Sequence, residues 1–246
     1  MPRGARIKSE SGIYHIMLRG INRENIFHDE EDYEKFVDTL KRYKDVCDYK
    51  IYAYCLMTNH IHILLKVGKE DIDLILKRIA GSFVYWYNWK YHRVGHLFQD
   101  RFKSEPIDDD TYFLTVLRYI HQNPLKAYMV MDIEDYLYSS FHDYVNENSY
   151  LTDTEFALSI MDVQTFKQFN RETTNDECLE DNEPIRLNDI EAKNIIVKIT
   201  KCKTIEQFQE LPQDKKDKYI KKLKQSGLSI RQICRLTGER FSKVRR

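Results

Sequence analysis

Residues 13–19, Ile-Tyr-His-Ile-Met-Leu-Arg, form a short apolar run that reads as a first strand, closed by Gly20 and the polar turn Asn22 to Asn25. From Asp29 the period changes. An acidic start leads into Tyr33, Phe36, Val37, Leu40 and Tyr43 at helical spacing, predicting an amphipathic helix to about Asp48. Residues 50–57 and 60–67 read as two adjacent strands joined by a tight Thr58-Asn59 turn, in which Asn59 helps to shape the bend. A second helix runs from about Asp71 to Tyr91 with Ile75, Ile79, Phe83 and Trp86 on its buried side. Its further aromatics, Tyr85, Tyr87, Trp89 and Tyr91, lie beside Lys90, His92 and Arg93; core packing is the favoured role and stacking on unpaired bases the alternative. Leu97 to Lys103 alternates as a fourth strand, with Phe98 and Phe102 on one side and Gln99, Arg101 and Lys103 on the other. A third helix starts near Asp109-Asp110 and carries Tyr112, Phe113, Val116, Leu117 and Ile120 until Pro124 stops it.

The order β-α-β-β-α-β plus a final helix predicts an α+β domain of the ferredoxin-like, split βαβ kind over residues 1–131. In that arrangement two helices cover one face of an antiparallel sheet and the other face is free for a site, with the third helix across or beside it. Residues 132–170 hold scattered aromatics and a helix over 153–160, and are expected to pack back on the domain. An acidic linker over 171–188 precedes a helical region, 189–246, with helices over 189–209 and 214–225. The stretch from Gly227 to Arg246 has the layout of a helix-turn-helix around Gly238, with a short second helix.

Charge changes this picture more than composition does. The net charge of zero divides into +2 over residues 1–131, −13 over 132–192 and +11 over 193–246. A basic tail of that kind suits contact with duplex DNA, although solvated helices give the same count. Five cysteines without a Cys-x-x-Cys pair argue against a disulfide framework or a structural zinc site. No apolar run approaches the roughly 20 residues that cross a bilayer, so a cytoplasmic protein without membrane association is expected.

The candidate chemistry centres on Met57-Thr58-Asn59-His60-Ile61-His62. In a strand His60 and His62 project from one face, about 7 Å apart at the backbone, and Ile61, Ile63 and Leu65 from the other. Two such imidazoles converge on a divalent ion if a third ligand arrives from another element; solvated or hydrogen-bonded histidines are the plainer alternative. On the third helix Tyr119 and Asn123 share a face. A tyrosine beside a metal is a potential nucleophile toward a phosphodiester, with Tyr112, seven residues earlier, as runner-up. At about 100° per residue His121 lies roughly 200° from Tyr119 and is excluded, while Gln122 and Asn123 sit about 60° and 40° off, so direction alone only mildly prefers Asn123.

Four signatures occur in order: Tyr14-His15 through Arg19-Gly20, Met57 through His62, Phe98-Gln99-Asp100-Arg101-Phe102, and Arg118-Tyr119-Ile120-His121-Gln122-Asn123-Pro124. With them the chain resembles the tyrosine transposases of the HUH (His-hydrophobe-His) superfamily, closest to the REP-associated tyrosine transposase-like group. Phe98 stands where relatives often have Trp. The resemblance implies cleavage and rejoining of single-stranded DNA, in hairpin or palindromic form, with Mg²⁺ or Mn²⁺. It implies Tyr119 as nucleophile and His60, His62 and Asn123 as metal ligands. Arg19, Arg23, Arg101, Lys103 and Arg118 are the expected DNA contacts, and the protein is expected to work as a monomer or homodimer. The alternatives are a non-catalytic DNA-binding regulator on a transposase scaffold, and a replication initiator or relaxase of the same superfamily.

Overall fold

The computed structural model describes residues 6–146, 150–172, 174, 178–179, 189–226 and 228–245. The expected acidic linker, 171–188, lies largely outside them. The chain divides into two compact units, Met1–Glu180 and Asp181–Arg246.

The first unit is built on four antiparallel strands: β1 (Ile13–Arg19), β2 (Lys50–Met57), β3 (His60–Lys66) and β4 (Lys103–Ile107), in the order β2-β3-β1-β4. With α1 (Glu30–Cys47) after β1 and α2 (Ile72–Lys90) after β3, this is the expected ferredoxin-like arrangement. Asp29 starts α1 because its carboxylate accepts from the Asp32 backbone while Asp32 returns the bond, a reciprocal N-terminal cap. Alternate strand residues Ile16, Leu18, Ile61, Ile63 and Leu65 pack against Phe36, Leu40, Ile75, Ile79 and Phe83 of the two helices.

The opposite face is not free. Ile13, Cys55, Met57 and Leu64 are buried with Phe113, Val116, Leu117 and Ile120 of α3 (Asp110–Lys126) and with Phe141, Tyr144 and Phe166. The last three come from α4 (Phe141–Asn146) and α6 (Val163–Arg171), which flank the short α5 (Glu155–Ile160). The cause is visible in β2, where Ile51 to Met57 is apolar on both faces and therefore needs cover on both.

Three boundaries differ from expectation. The fourth strand is Lys103–Ile107 instead of 97–103; Phe98 makes only an isolated bridge to Gly20, and Asp100 turns the chain at φ 52°. Helix α3 continues through Pro124 to Lys126, because so close to the helix end the proline removes one backbone donor without interrupting a long ladder. Tyr85 and Trp89 of α2 are 81% and 71% exposed, so only part of that aromatic set is core.

In the second unit α7 (Asp189–Thr200), α8 (Ile205–Gln209), α9 (Gln213–Gln225), α10 (Ile230–Thr237) and α11 (Phe241–Arg245) enclose Ala192, Phe208, Leu223, Ile233 and Val244. The helix expected over 189–209 is broken at Lys201, which adopts φ 62°, and restarts on a Thr204 cap. Ser229 and Gln232 cap α10 reciprocally, and Gly238 ends it at φ 75°.

Candidate active site

Register brings the site together on the α3 side of the sheet. The Thr58-Asn59 turn starts β3 at His60, and β1 runs antiparallel so that Arg19 pairs with His60 and Met17 with His62. Gly20 is required at the exit of β1, where an added Cβ would lie 2.1 Å from the Glu24 carbonyl oxygen. The His60 and His62 ring centroids are 5.1 Å apart, and the Tyr119 ring, reaching down from α3, meets His62 edge-on at 5.7 Å and His15 at 5.8 Å. Sequence spacing thus anticipated His60, His62 and Tyr119 as neighbours. It gave no role to His15, on which both Tyr119 and His62 rest.

Both strand histidines are held through Nδ1. His60 Nδ1 lies 2.7 Å from Asn59 Oδ1, and the Asn59 amide nitrogen in turn donates to the Arg23 carbonyl at 3.3 Å. His62 Nδ1 lies 3.0 Å from His15 Nε2. An amide oxygen only accepts, so His60 carries its proton on Nδ1 and keeps a lone pair on Nε2. Among the described residues no hydrogen bond engages Nε2 of either ring. Burial pushes His60 down to about 4, assisted by the charges of Arg19 and Arg23. Burial also lowers His62 well below the usual imidazole range, with His15 and His60 adding to the effect. Two neutral imidazoles with free Nε2 atoms suit a divalent cation.

Asn123 donates its amide nitrogen to the Tyr119 carbonyl at 2.9 Å, which leaves Oδ1 as its hard donor end. Among the described residues no group of three or more His, Cys, Asp or Glu side chains is arranged to hold a metal, so a site at His60 and His62 needs a donor of another kind. An amide oxygen is such a donor.

The neighbouring residues of α3 face elsewhere. His121 is a structural ring, 3.0 Å from Asn170 Oδ1 and 2.8 Å from Ser140 Oγ, in agreement with its exclusion by helical angle. Gln122 donates to the carbonyls of Asn170 and Glu172, both at 2.8 Å. Arg118, expected at DNA, is 7% exposed, pairs with Glu172 at 3.0 Å and stacks on Phe169. Tyr112 sets its phenol against Glu105, where burial and that carboxylate raise its pKa. Arg19 and Arg23 border His60 and act on its charge; Arg101 is exposed and Lys103 half-buried at the start of β4. Sequence reasoning missed Lys126, whose ammonium lies 4.4 Å from the Tyr119 ring centroid. Its signal was the seven-residue spacing that returns a helix to the same face.

Among the described residues no helix is long and apolar enough to cross a membrane. Residues 8–123 match the family model described as transposase IS200 like. A Haemophilus influenzae protein assigned as a REP-associated tyrosine transposase is 28% identical over 125 residues, 45% of this chain and 71% of that protein. A solved structure of a REP-associated tyrosine transposase bound to a REP hairpin has a TM-score of 0.53 and 20% identity, covering 62% of this chain and 94% of that one. At that identity the likeness speaks to fold. Residues 8–123, which carry the paired histidines and most of the Tyr119 helix, are therefore similar to the IS200-like transposase family, and the chain resembles a REP-associated tyrosine transposase in sequence.

Proposed function

We propose that this protein is a transposase that cuts single-stranded DNA with Tyr119 and rejoins it through a covalent 5′-phosphotyrosine. The observation that carries the proposal is the edge contact of Tyr119 with His62, which puts a phenol beside a pair of neutral imidazoles whose Nε2 atoms are open. The Tyr119 oxygen attacks phosphorus, the bond from phosphorus to the 3′ oxygen breaks, the phenolic proton passes to water and the leaving oxygen takes one up. Attack by another 3′-hydroxyl on the phosphotyrosine joins the new strand and frees the phenol. Lys126 over the Tyr119 ring lowers the cost of charge developing on the phenol oxygen.

His60 and His62 through Nε2 and Asn123 through Oδ1 would hold Mg²⁺ or Mn²⁺. When bound there, such an ion would supply Lewis-acid polarisation of the scissile phosphate. Imidazole donors suit Mn²⁺ better than Mg²⁺, which prefers oxygen. Arg19 and Arg23 beside His60, with Arg101 and Lys103, contact the phosphate backbone. The solved relative is bound to a REP hairpin, so hairpin DNA is the proposed substrate, and the lysines of α9 in the second unit are proposed to contact duplex DNA.

The test is incubation with end-labelled single strands and hairpins in Mg²⁺ or Mn²⁺. A protein-DNA band that survives denaturation, and is lost in Tyr119→Phe, is expected. Retention of DNA without any adduct would reject catalysis in favour of a binding regulator.

A further inference from the structure

We infer that Glu105 and His15 form a relay that fixes the tautomer of His62 and so presents its Nε2 to a divalent cation; the inference rests on the metal-dependent function proposed above. His15 is fully buried on β1 and crosses diagonally to His62, since the register pairs His15 with Leu64 and Met17 with His62. On its other side His15 pairs with Glu105 of β4. The three side chains therefore cross three neighbouring strands in a line.

The polarity of that line has one consistent solution. His15 Nε2 and His62 Nδ1 are 3.0 Å apart, so one donates and the other accepts. His15 Nδ1 and Glu105 Oε2 are 3.8 Å apart, and each is a buried atom without a hydrogen-bond partner. That separation is longer than a hydrogen bond, and because burial keeps His15 neutral the Glu105 carboxyl faces the ring dipole of His15 across it and forms no ion pair. His15 holds the Glu105 carboxyl below its ordinary range, and a carboxylate only accepts. His15 Nδ1–H therefore points to Glu105, His15 Nε2 accepts from His62 Nδ1–H, and the His62 lone pair is left on Nε2. The reverse assignment sets a bare His15 Nδ1 against the carboxylate and puts the His62 proton on the atom that must bind metal.

His60 is set the same way by the oxygen of Asn59. The paired histidines thus have separate orienting groups, one from the turn and one from across the sheet. His15 and Glu105 act through His62, which makes them positioning residues. Such partners fix ligand orientation, and losing one lowers metal affinity roughly 10- to 100-fold.

The experiment uses the full chain without DNA. In ¹⁵N spectra of the metal-free protein at neutral pH, the His62 ring is expected as the Nδ1–H tautomer. His15→Phe keeps ring volume and removes the acceptor; it should mix the His62 tautomers and weaken Mn²⁺ binding, followed by electron paramagnetic resonance, roughly 10- to 100-fold. His15→Gln, whose amide oxygen reaches the Nε2 position, should restore both. Glu105→Leu on half-exposed β4 gives a second variant if His15→Phe fails to fold, and should shift the tautomer in the same direction. A wild-type His62 protonated on Nε2, or a tautomer unmoved by His15→Phe and Glu105→Leu, overturns the relay. Absence of any DNA adduct in a protein whose tautomer responds as described would count against the proposed activity alone.

Discussion

His121 gives a prediction that needs neither DNA nor metal. Its ring is 1% exposed, with Nδ1 and Nε2 both hydrogen-bonded, and burial pushes its pKa down to about 4, with the Asn170 contact opposing weakly. In the unfolded chain the imidazole titrates near 6.5. Between those values the unfolded state binds the proton and the folded state does not, so stability is full above about pH 6.5 and is lost as pH falls toward 4. At about pH 5 the proton-binding ratio of the two states is roughly 30, or about 2 kcal/mol for this one ring. His121→Gln keeps a buried donor and acceptor near Ser140 and Asn170 and removes the titration. The chain's two tryptophans, Trp86 and Trp89, both lie on α2, so their fluorescence in urea follows unfolding of the first unit alone. The variant should be less stable at neutral pH, and should lose about 2 kcal/mol less than wild type between pH 7.5 and 5. His60, also near 4, titrates in both proteins and cancels. Parallel pH dependences would refute the argument, because they would mean that the folded protein accepts a proton at His121.

Tyr119→Phe should abolish the covalent adduct and leave single-strand binding nearly intact in a gel-shift assay; an adduct in this variant would move the nucleophile to Tyr112. His60→Ala and His62→Ala should each suppress cleavage and weaken metal binding in titration calorimetry, and loss of folding instead would favour purely structural histidines. Asn123→Ala should raise the Mg²⁺ concentration needed for cleavage about tenfold, while Gln122→Ala, which breaks two bonds to backbone carbonyls, should lower thermal stability and leave the metal requirement little changed. Lys218, Lys221 and Lys222 are exposed on α9; replacing all three with Gln should reduce the salt slope of DNA binding by roughly one unit each, and an unchanged slope would give that helix another partner.

The parts that were legible in the sequence are those where a period and a burial pattern coincide. His60 and His62 alternate with Ile61 and Ile63, so their face was fixed before any fold was known. The fourth strand was misplaced because Leu97 to Lys103 alternates well, whereas Lys103-Ser104-Glu105-Pro106-Ile107, the segment that pairs, shows no apolar alternation at all. Pairing there is decided by β1, which specifies register from across the sheet. His15 has no role legible in the sequence for a similar reason: it lies 47 residues from His62, and only antiparallel register sets the two side by side. Cover of the second sheet face could have been foreseen from β2, whose unbroken apolar run lacks the alternation of a half-exposed strand.

The segment after α3 has a consequence for how the protein can be handled. β2 is the outermost strand, and its outward backbone groups are already occupied: Leu56 N–H bonds to the Tyr138 carbonyl at 2.9 Å, Ser140 N–H to Tyr54 at 3.0 Å and Asp153 N–H to Ile51 at 2.6 Å. The hydroxyls of Tyr136 and Tyr144 donate to the Leu56 and Tyr52 carbonyls, both at 2.7 Å. At the far side of the sheet Pro106 interrupts the donors of β4. Among the described residues these contacts leave β2 no free template for strand addition while residues 136–146 and 150–153 stay in place. A fragment cut at residue 131 retains every proposed catalytic side chain and bares a seven-residue apolar margin, Ile51 to Met57, to its neighbours in solution. Such a fragment should aggregate through that margin, and the soluble unit for any reconstitution extends at least through Asp153.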